Sequence, residues 1–228
     1  MNSSQKIRII TSSAPFLGPQ DSSSQQLLSF YDPFLCTPNI YGHRFDEIVS
    51  WDDDRIERDH RFIQWLFPLA RSSSADEDAP VVDRQILIYV RNHNEILQNM
   101  RLAVTRMMRF YGFDMFWDSE LRVVISNLGL RNEVYGRWLK DKDHNHNRIT
   151  RMIQSLRLFS LDDEAEAIYQ RFLLMNRGRG SPVSQATLHH WRRAAGDPLV
   201  SISQGHLNYQ PEFYAYRQNG DDPEPHLY

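Results

Sequence analysis

The chain contains a single cysteine, Cys36, so it cannot form an internal disulfide bond. It also lacks long apolar runs: residues 86–90 form one of the longest, whereas a membrane-spanning helix needs about 20 apolar residues. The apolar stretch near the start, residues 6–10, is too short for a secretory signal. We therefore predict no transmembrane helix and no signal peptide, and we expect an intracellular protein, either cytoplasmic or nuclear.

A strong excess of either charge is missing as well. Lys and Arg together number 26 and Asp and Glu 29, which gives a net charge of −3. This balance offers no general electrostatic attraction to nucleic acid or to an anionic membrane. The sequence also has no glycine-rich phosphate loop and no Gly-x-Ser-x-Gly elbow. These absences argue against a nucleic-acid partner and against the common nucleotide-binding and hydrolase classes.

The most distinctive segment is an aromatic block at residues 62–69, Phe-Ile-Gln-Trp-Leu-Phe-Pro-Leu, which follows Glu57 and His60. The spacing predicts one helix over residues 51–66. Such a helix would carry a stripe in which a histidine sits among apolar neighbours, namely Ile56, His60, Ile63 and Phe67.

The ends of this predicted helix are marked in the sequence. Ser50 and Asp53 have the spacing of a capping box, and Pro68 disfavours helical geometry at the residue before it. Trp65 lies inside the helix, and we expect its ring to be buried.

A second distinctive segment begins at His144 and continues as a predicted helix over residues 147–159. Either Asn145 or Asn147 is expected to cap it. Its apolar stripe consists of Ile149, Met152, Ile153, Leu156 and Phe159.

Polar residues lie on the other face of this helix, where Arg148, Arg151 and Ser155 recur at i, i+3 and i+7. Two arginines one turn apart can bind a carboxylate or a phosphate. They can equally pair with the acidic residues of the first helix, Asp54, Glu57 and Asp59. We favour this internal ion-pair network, which would place the two helices side by side in one core.

Together the two segments resemble the N-terminal region of the opioid growth factor receptor family. The resemblance covers residues 45–172 and is carried by Glu57, His60, the aromatic block, Phe110-Tyr111-Gly112 and the residues His144, Asn145, Arg148 and Arg151. Animal members of this family are named for binding a small enkephalin peptide and for restraining growth, and they are found in and around the nucleus. The resemblance therefore implies a helical peptide- or protein-binding domain, and it supplies no catalytic residues.

Alternative functions depend on the histidines. Glu57 and His60 have the Glu-x-x-His spacing of di-iron helical bundles, but such sites need a second copy, which the sequence does not contain. We favour a structural His60 and expect no metal and no cofactor. The runner-up function is an enzyme, metal-dependent or not, that uses Glu57, His60 and His144. A third is nucleic-acid binding through the arginine faces, which include a weaker basic patch at Arg177, Arg179, Arg192 and Arg193.

The predicted fold is all-α: an irregular multi-helix bundle of about six to eight helices with disordered ends. Residues 1–28, rich in Ser, Gln and Pro, are predicted to be a disordered segment, and residues 29–196 the helical domain. Residues 197–228 are predicted to form an extended C-terminal tail. Its aromatic residues can fold back over the core: Tyr209, Phe213, Tyr214 and Tyr216.

We therefore predict a non-catalytic domain that binds a peptide or protein through residues of the two signature segments. The candidate ligand-binding residues are Glu57, His60, Trp65, His144, Asn145, Arg148 and Arg151.

Overall fold

A computed structural model describes residues 22–73, 76–129, 132–197, 201–203 and 206–208. Within them the chain forms helices α1 Ser22–Tyr31, α2 Phe45–Ser50, α3 Asp53–Arg58, α4 Phe62–Leu66, α5 Arg84–Val90, α6 Asn94–Phe110, α7 His144–Leu158, α8 Asp162–Gly178 and α9 Gln185–Gly196, with a 3-10 helix Asn132–Arg137 before α7. The strands are β1 Phe113–Trp117, β2 Val123–Asn127, β3 Ser201–Ser203 and β4 His206–Asn208. No helix in these ranges has the length and apolar character that crossing a membrane requires.

The mostly helical prediction is confirmed, but the described residues hold nine α-helices rather than six to eight, and the fold is not purely α. Strands β1 and β2 form an antiparallel hairpin in which Phe113 faces Asn127. Gly112 turns the chain from α6 into β1 with φ of +94°, and a Cβ there would lie 2.8 Å from Tyr135 Cε1. The hairpin is built from β-branched and aromatic residues, which favour pleated surfaces.

The ends of the domain also differ from the prediction. Helix α1 begins at Ser22 and buries Leu27, Leu28 and Phe30, so residues 22–28 belong to the folded domain rather than to a disordered segment. They are recruited because these apolar side chains pack into the common core. At the other end β3 and β4 pair antiparallel. Residues 1–21 and the tail aromatics lie outside the described residues.

The core is centred on α6 to α9. The methionine-rich stripe of α6 is fully buried, as Met100, Met107 and Met108 each have 0% exposure. Aromatic rings join the later elements: Trp138 lies 4.6 Å from Phe172 of α8, centroid to centroid. Helix α7 packs against both α8 and α9. This arrangement leaves the opposite side of α7 to meet the first signature segment.

Candidate functional site

The first signature segment is not one helix. It breaks into α3 and α4, with a bend at residues 59–61, so the predicted helix over residues 51–66 and its continuous stripe are wrong. The bend is fixed by Asp59, whose Oδ1 accepts hydrogen bonds from the N–H groups of Arg61 at 2.8 Å and Phe62 at 3.3 Å. The predicted capping box is also wrong, because Asp52 caps α3 by accepting from Arg55 N at 2.7 Å.

Arg148 of α7 fills the bend. Its guanidinium donates to the carbonyl oxygens of Ile56 at 3.0 Å, Asp59 at 2.6 Å and Glu57 at 3.3 Å. These carbonyls lie at the C-terminal end of α3, where a helix leaves its last acceptors unsatisfied and carries partial negative charge. Arg148 is only 4% exposed, and burial lowers the pKa of its guanidinium.

The same helix face continues along the end of α4. Arg151 Nε donates to Phe67 O at 2.9 Å, and Ser155 Oγ donates to Pro68 O at 2.9 Å. Burial lowers the pKa of Arg151 to about 10, so the side chain is still charged at neutral pH. We call these contacts the polar seam: Arg148, Arg151 and Ser155 of α7 with the carbonyls they bind in residues 56–68.

The contacts of the polar seam can be compared with the ion-pair network that the sequence predicted. The two signature segments do lie side by side, as predicted. However, the arginines donate to backbone carbonyls, and no bond joins them to the carboxylates of Asp54, Glu57 or Asp59 in the described residues. The predicted polar face is therefore an interior face, because the bend exposes carbonyls that only a long donor side chain reaches. Helix α7 accordingly presents no solvent-facing pair of Arg148 and Arg151 for nucleic acid.

The structure brings Glu57, His60 and His144 together at the edge of this seam. The rings of His60 and His144 are 5.2 Å apart, and His144 Nε2 lies 3.4 Å from Glu57 Oε1. The bend turns His60 outward, where it is exposed, and its Nδ1 accepts from Arg148 at 3.3 Å. Burial, followed by the positive charge of Arg148, lowers the pKa of His144.

The chemistry of this cluster is limited by its geometry. Among the described residues, no group of three or more His, Cys, Asp and Glu side chains is placed to hold a metal ion. Asn145 is buried and donates to Glu57 Oε2 at 3.2 Å and to Arg137 O at 3.0 Å. Neither predicted asparagine caps α7; Asp143 does, by accepting from Asn145 N at 2.8 Å.

Trp65 is a core residue. Its ring is 1% exposed and packs edge-on against Phe30 with 5.3 Å between centroids. The expectation of burial is confirmed, and the structure gives Trp65 no surface with which to contact a ligand.

An open groove lies between α8 and α9. Its volume is about 730 Å³, and its lining residues are Tyr169, Leu173, Asn176, Arg177, Ser181, Gln185, Leu188, His189 and Arg192. This lining contains two arginines and a histidine but no carboxylate. Neither Arg177 nor Arg192 has a side-chain partner among the described residues.

Sequence reasoning found this groove only in part. Of the four arginines in the weaker basic patch, Arg179 lies over the ring of Tyr135, and Arg193 pairs with Asp197 at 3.0 Å. Only Arg177 and Arg192 line the groove. The helical spacing of Gln185, Leu188, His189 and Arg192, at i, i+3, i+4 and i+7, was the available signal. It does not reveal which helix lies opposite.

Comparison with known proteins places these features in context. The family model of the opioid growth factor receptor conserved region matches residues 20–195. The opioid growth factor receptor of Rattus norvegicus is 29% identical over 164 residues, which cover 70% of this chain and 27% of that protein. The opioid growth factor receptor of Homo sapiens is 30% identical over 152 residues, which cover 64% of this chain and 21% of that protein. The matched region thus spans about a quarter of the length of these curated relatives. No solved structure matches.

Proposed function

The chain belongs to the opioid growth factor receptor conserved-region family, and we propose that it is a non-catalytic, intracellular domain that binds a peptide or protein in the groove between α8 and α9. The groove is the observation that supports this function. The word receptor in the names of the relatives refers to those proteins; binding is transferred to this chain only as part of the proposal.

The groove has the shape of a peptide site. Its walls come from the neighbouring helices α8 and α9 and from Ser181 between them, and from Tyr169 to Arg177 the α8 wall runs about 12 Å at 1.5 Å per residue. Such a length accommodates about two turns of a helical peptide laid between the helices. The apolar side chains Tyr169, Leu173 and Leu188 can pack against the apolar face of the peptide.

The charge of the groove selects the ligand class. Arg177 and Arg192 are exposed and have no ion-pair partner among the described residues, so each is available to bind a carboxylate. We therefore infer that the ligand is an acidic amphipathic segment.

Fluorescence anisotropy tests this function with a labelled helical peptide of about 12 residues that has leucines on one face and glutamates beside them. We expect the peptide to bind the full chain and to bind the Arg192→Glu variant at least about tenfold more weakly, as expected when an opposite charge is replaced by a like charge. Arg84→Glu is the matched control, because Arg84 is exposed on α5 and makes the same charge change.

Two results would reject this function. One is equal binding to the wild type and to Arg192→Glu. The other is equal binding of a matched peptide with lysines in place of the glutamates. Binding through the groove should also weaken as salt is added, because the contacts are exposed to solvent.

A metal-dependent or other enzyme is the second candidate function, because Glu57, His60 and His144 converge at one surface. Elemental analysis of the purified protein distinguishes a metal enzyme from the binding domain. We expect no stoichiometric Fe, Mn or Zn. About one metal ion per chain that is lost in the His60→Ala variant would favour the metal-dependent enzyme over the binding domain.

A further inference from the structure

We propose that the groove between α8 and α9 recognises the spacing of two acidic groups in a helical ligand, one acid at each end of the groove with apolar residues between them. This inference rests on the proposed function of the groove as a site for an acidic amphipathic segment, and it names the pattern that such a segment must carry. The pattern is an acid at position i, apolar residues at i+3 and i+4, and a second acid at i+7.

Helices α8 and α9 run in opposite directions, as two contacts show. The rings of Phe172 in α8 and Trp191 in α9 lie 5.5 Å apart, centroid to centroid, and both side chains are fully buried. Nearer the connecting loop, Asn176 Oδ1 accepts from Val183 N at 3.0 Å. Later residues of α8 therefore lie beside earlier residues of the following segment, as in a helical hairpin.

This direction places the two groove arginines at opposite ends. Arg177 is in the last turn of α8, next to the loop and beside the start of α9 at Gln185. Arg192 follows seven residues after Gln185 and lies at the Tyr169 end of α8. Seven or eight helical residues correspond to about 10–12 Å along the groove. Because one carboxylate is too small to fill both ends, each arginine is matched by a carboxylate of its own.

The middle of the groove is apolar. Leu173 and Leu188 are half-buried, whereas Arg177 and Arg192 are exposed. Each leucine precedes an arginine of its own helix by four residues, so each lies one turn inside the arginine. The order along the groove is therefore cation, apolar surface, cation. A ligand helix with acid, apolar, apolar and acid residues at i, i+3, i+4 and i+7 presents the complementary order on one face.

The carboxylates nearest the groove in sequence do not neutralise its arginines. Glu166, one turn before Tyr169 on α8, accepts from Gln170 Nε2 at 2.8 Å and lies outside the lining. Asp197 pairs with Arg193 at 3.0 Å rather than with Arg192. Among the described residues, both ends of the groove therefore carry a cation without a counter-ion.

Two labelled helical peptides of equal composition test the inference by fluorescence anisotropy. The spaced peptide carries glutamates at i and i+7 and leucines at i+3 and i+4. The clustered peptide carries glutamates at i and i+3 and leucines at i+4 and i+7, so the net charge and the face are the same. We expect the spaced peptide to bind the full chain at least about tenfold more tightly, because only its acids match both arginines at once. Circular dichroism checks that the two peptides have equal helix content.

A double-mutant cycle assigns each acid to an arginine. Arg177→Gln and Arg192→Gln are each measured with spaced peptides in which one or the other glutamate is replaced by glutamine. Each arginine should couple several-fold to one glutamate only, and the two arginines should couple to different glutamates. Arg84→Gln is the matched control, since Arg84 is exposed on α5, and it should couple to neither.

Two results would overturn the inference. One is equal affinity for the spaced and clustered peptides, and the other is coupling of both arginines to the same glutamate, which would mean that they share a single anion. If either result came with weaker binding to Arg192→Glu, the groove would remain a site for an acidic peptide, and only the spacing rule would fall. If neither peptide bound the full chain, the proposed function would fall together with the spacing rule.

Discussion

Arginines have opposite roles in the polar seam and in the groove between α8 and α9. In the seam, Arg148 is 4% exposed and its guanidinium is bonded to backbone carbonyls of the bend. In the groove, Arg177 and Arg192 are exposed and have no partner among the described residues. The comparison shows that an arginine on a helix is structural or available for binding according to what packs opposite it. Variants in the seam should therefore change stability, whereas variants in the groove should change binding.

The largest expected effect is on the core beneath the seam. Trp65→Ala should lower the free energy of unfolding by about 3–5 kcal/mol, because it removes a fully buried ring and leaves a cavity. Chemical denaturation measures the loss, with Phe116→Ala as the control because that ring is 46% exposed. A loss below about 1 kcal/mol would mean that Trp65 does not pack as described.

A slightly smaller effect is expected within the seam itself. Arg148→Met keeps the apolar stem but leaves the carbonyls of Ile56 and Asp59 without donors, which should cost about 3 kcal/mol. Arg84→Met is the control, since Arg84 is exposed. If Arg148→Met lowered the free energy of unfolding no more than Arg84→Met, water would have to satisfy those carbonyls. The polar seam would then not be what holds the bend.

Acid should weaken the contacts that His146 of α7 makes with Trp138 and with Thr187 of α9. His146 Nε2 donates to Trp138 O at 2.7 Å, and burial lowers the pKa of His146 below the ordinary value of 6.5. The unfolded chain therefore takes up the proton first, so this contribution is complete above pH 6.5 and is lost as the pH falls from 6.5 towards the folded-state pKa.

Denaturation at pH 7.5 and pH 5 measures this effect. We expect the wild type to lose on the order of 1 kcal/mol more than His146→Gln, whose amide does not titrate in this range. Equal losses for the two proteins would show that His146 is not the sensitive group.

A double-mutant cycle separates backbone contacts from carboxylate contacts. Arg151 bonds Phe67 O and not Glu57, so Glu57→Gln and Arg151→Met should be additive within about 0.5 kcal/mol. Carboxylate pairing, which the sequence suggested, would instead give a coupling of about 0.5–3 kcal/mol. A coupling in that range would restore the ion-pair interpretation of the seam.

The smallest expected effect lies in the groove. Arg192→Glu should change the free energy of unfolding by less than about 0.5 kcal/mol, because the side chain is exposed and unpaired in the described residues. Chemical denaturation beside Arg148→Met gives the direct comparison. A large loss of stability would show that Arg192 stabilises the fold rather than forming part of a binding surface.

Local rules made much of the helical framework predictable. The α9 helix begins after Ser184, whose hydroxyl accepts from Thr187 N at 3.2 Å, and it ends at Gly196. The apolar residues of α6 recur at helical spacing and are buried. Both signals depend on residues within one or two turns of each other, so they can be read directly from the sequence.

The bend at Asp59 and the hairpin after Gly112 were harder to foresee. Three consecutive aspartates, Asp52 to Asp54, offer several equivalent capping positions, and the break depends on a fourth, Asp59, inside an otherwise helical pattern. The strands β1 and β2 are short, and β2 packs on α8, a helix distant in sequence.

The sequence by itself determined the mostly helical character of the fold, the helix that becomes α7, the burial of Trp65 and the proximity of the two signature segments. Only the tertiary structure decided what the arginines do. Arg148 meets Ile56 O across 92 residues of chain, and the groove exists because α8 and α9 lie side by side. Such pairings depend on which carbonyls and side chains remain unsatisfied after the core has formed, and no local spacing encodes that outcome.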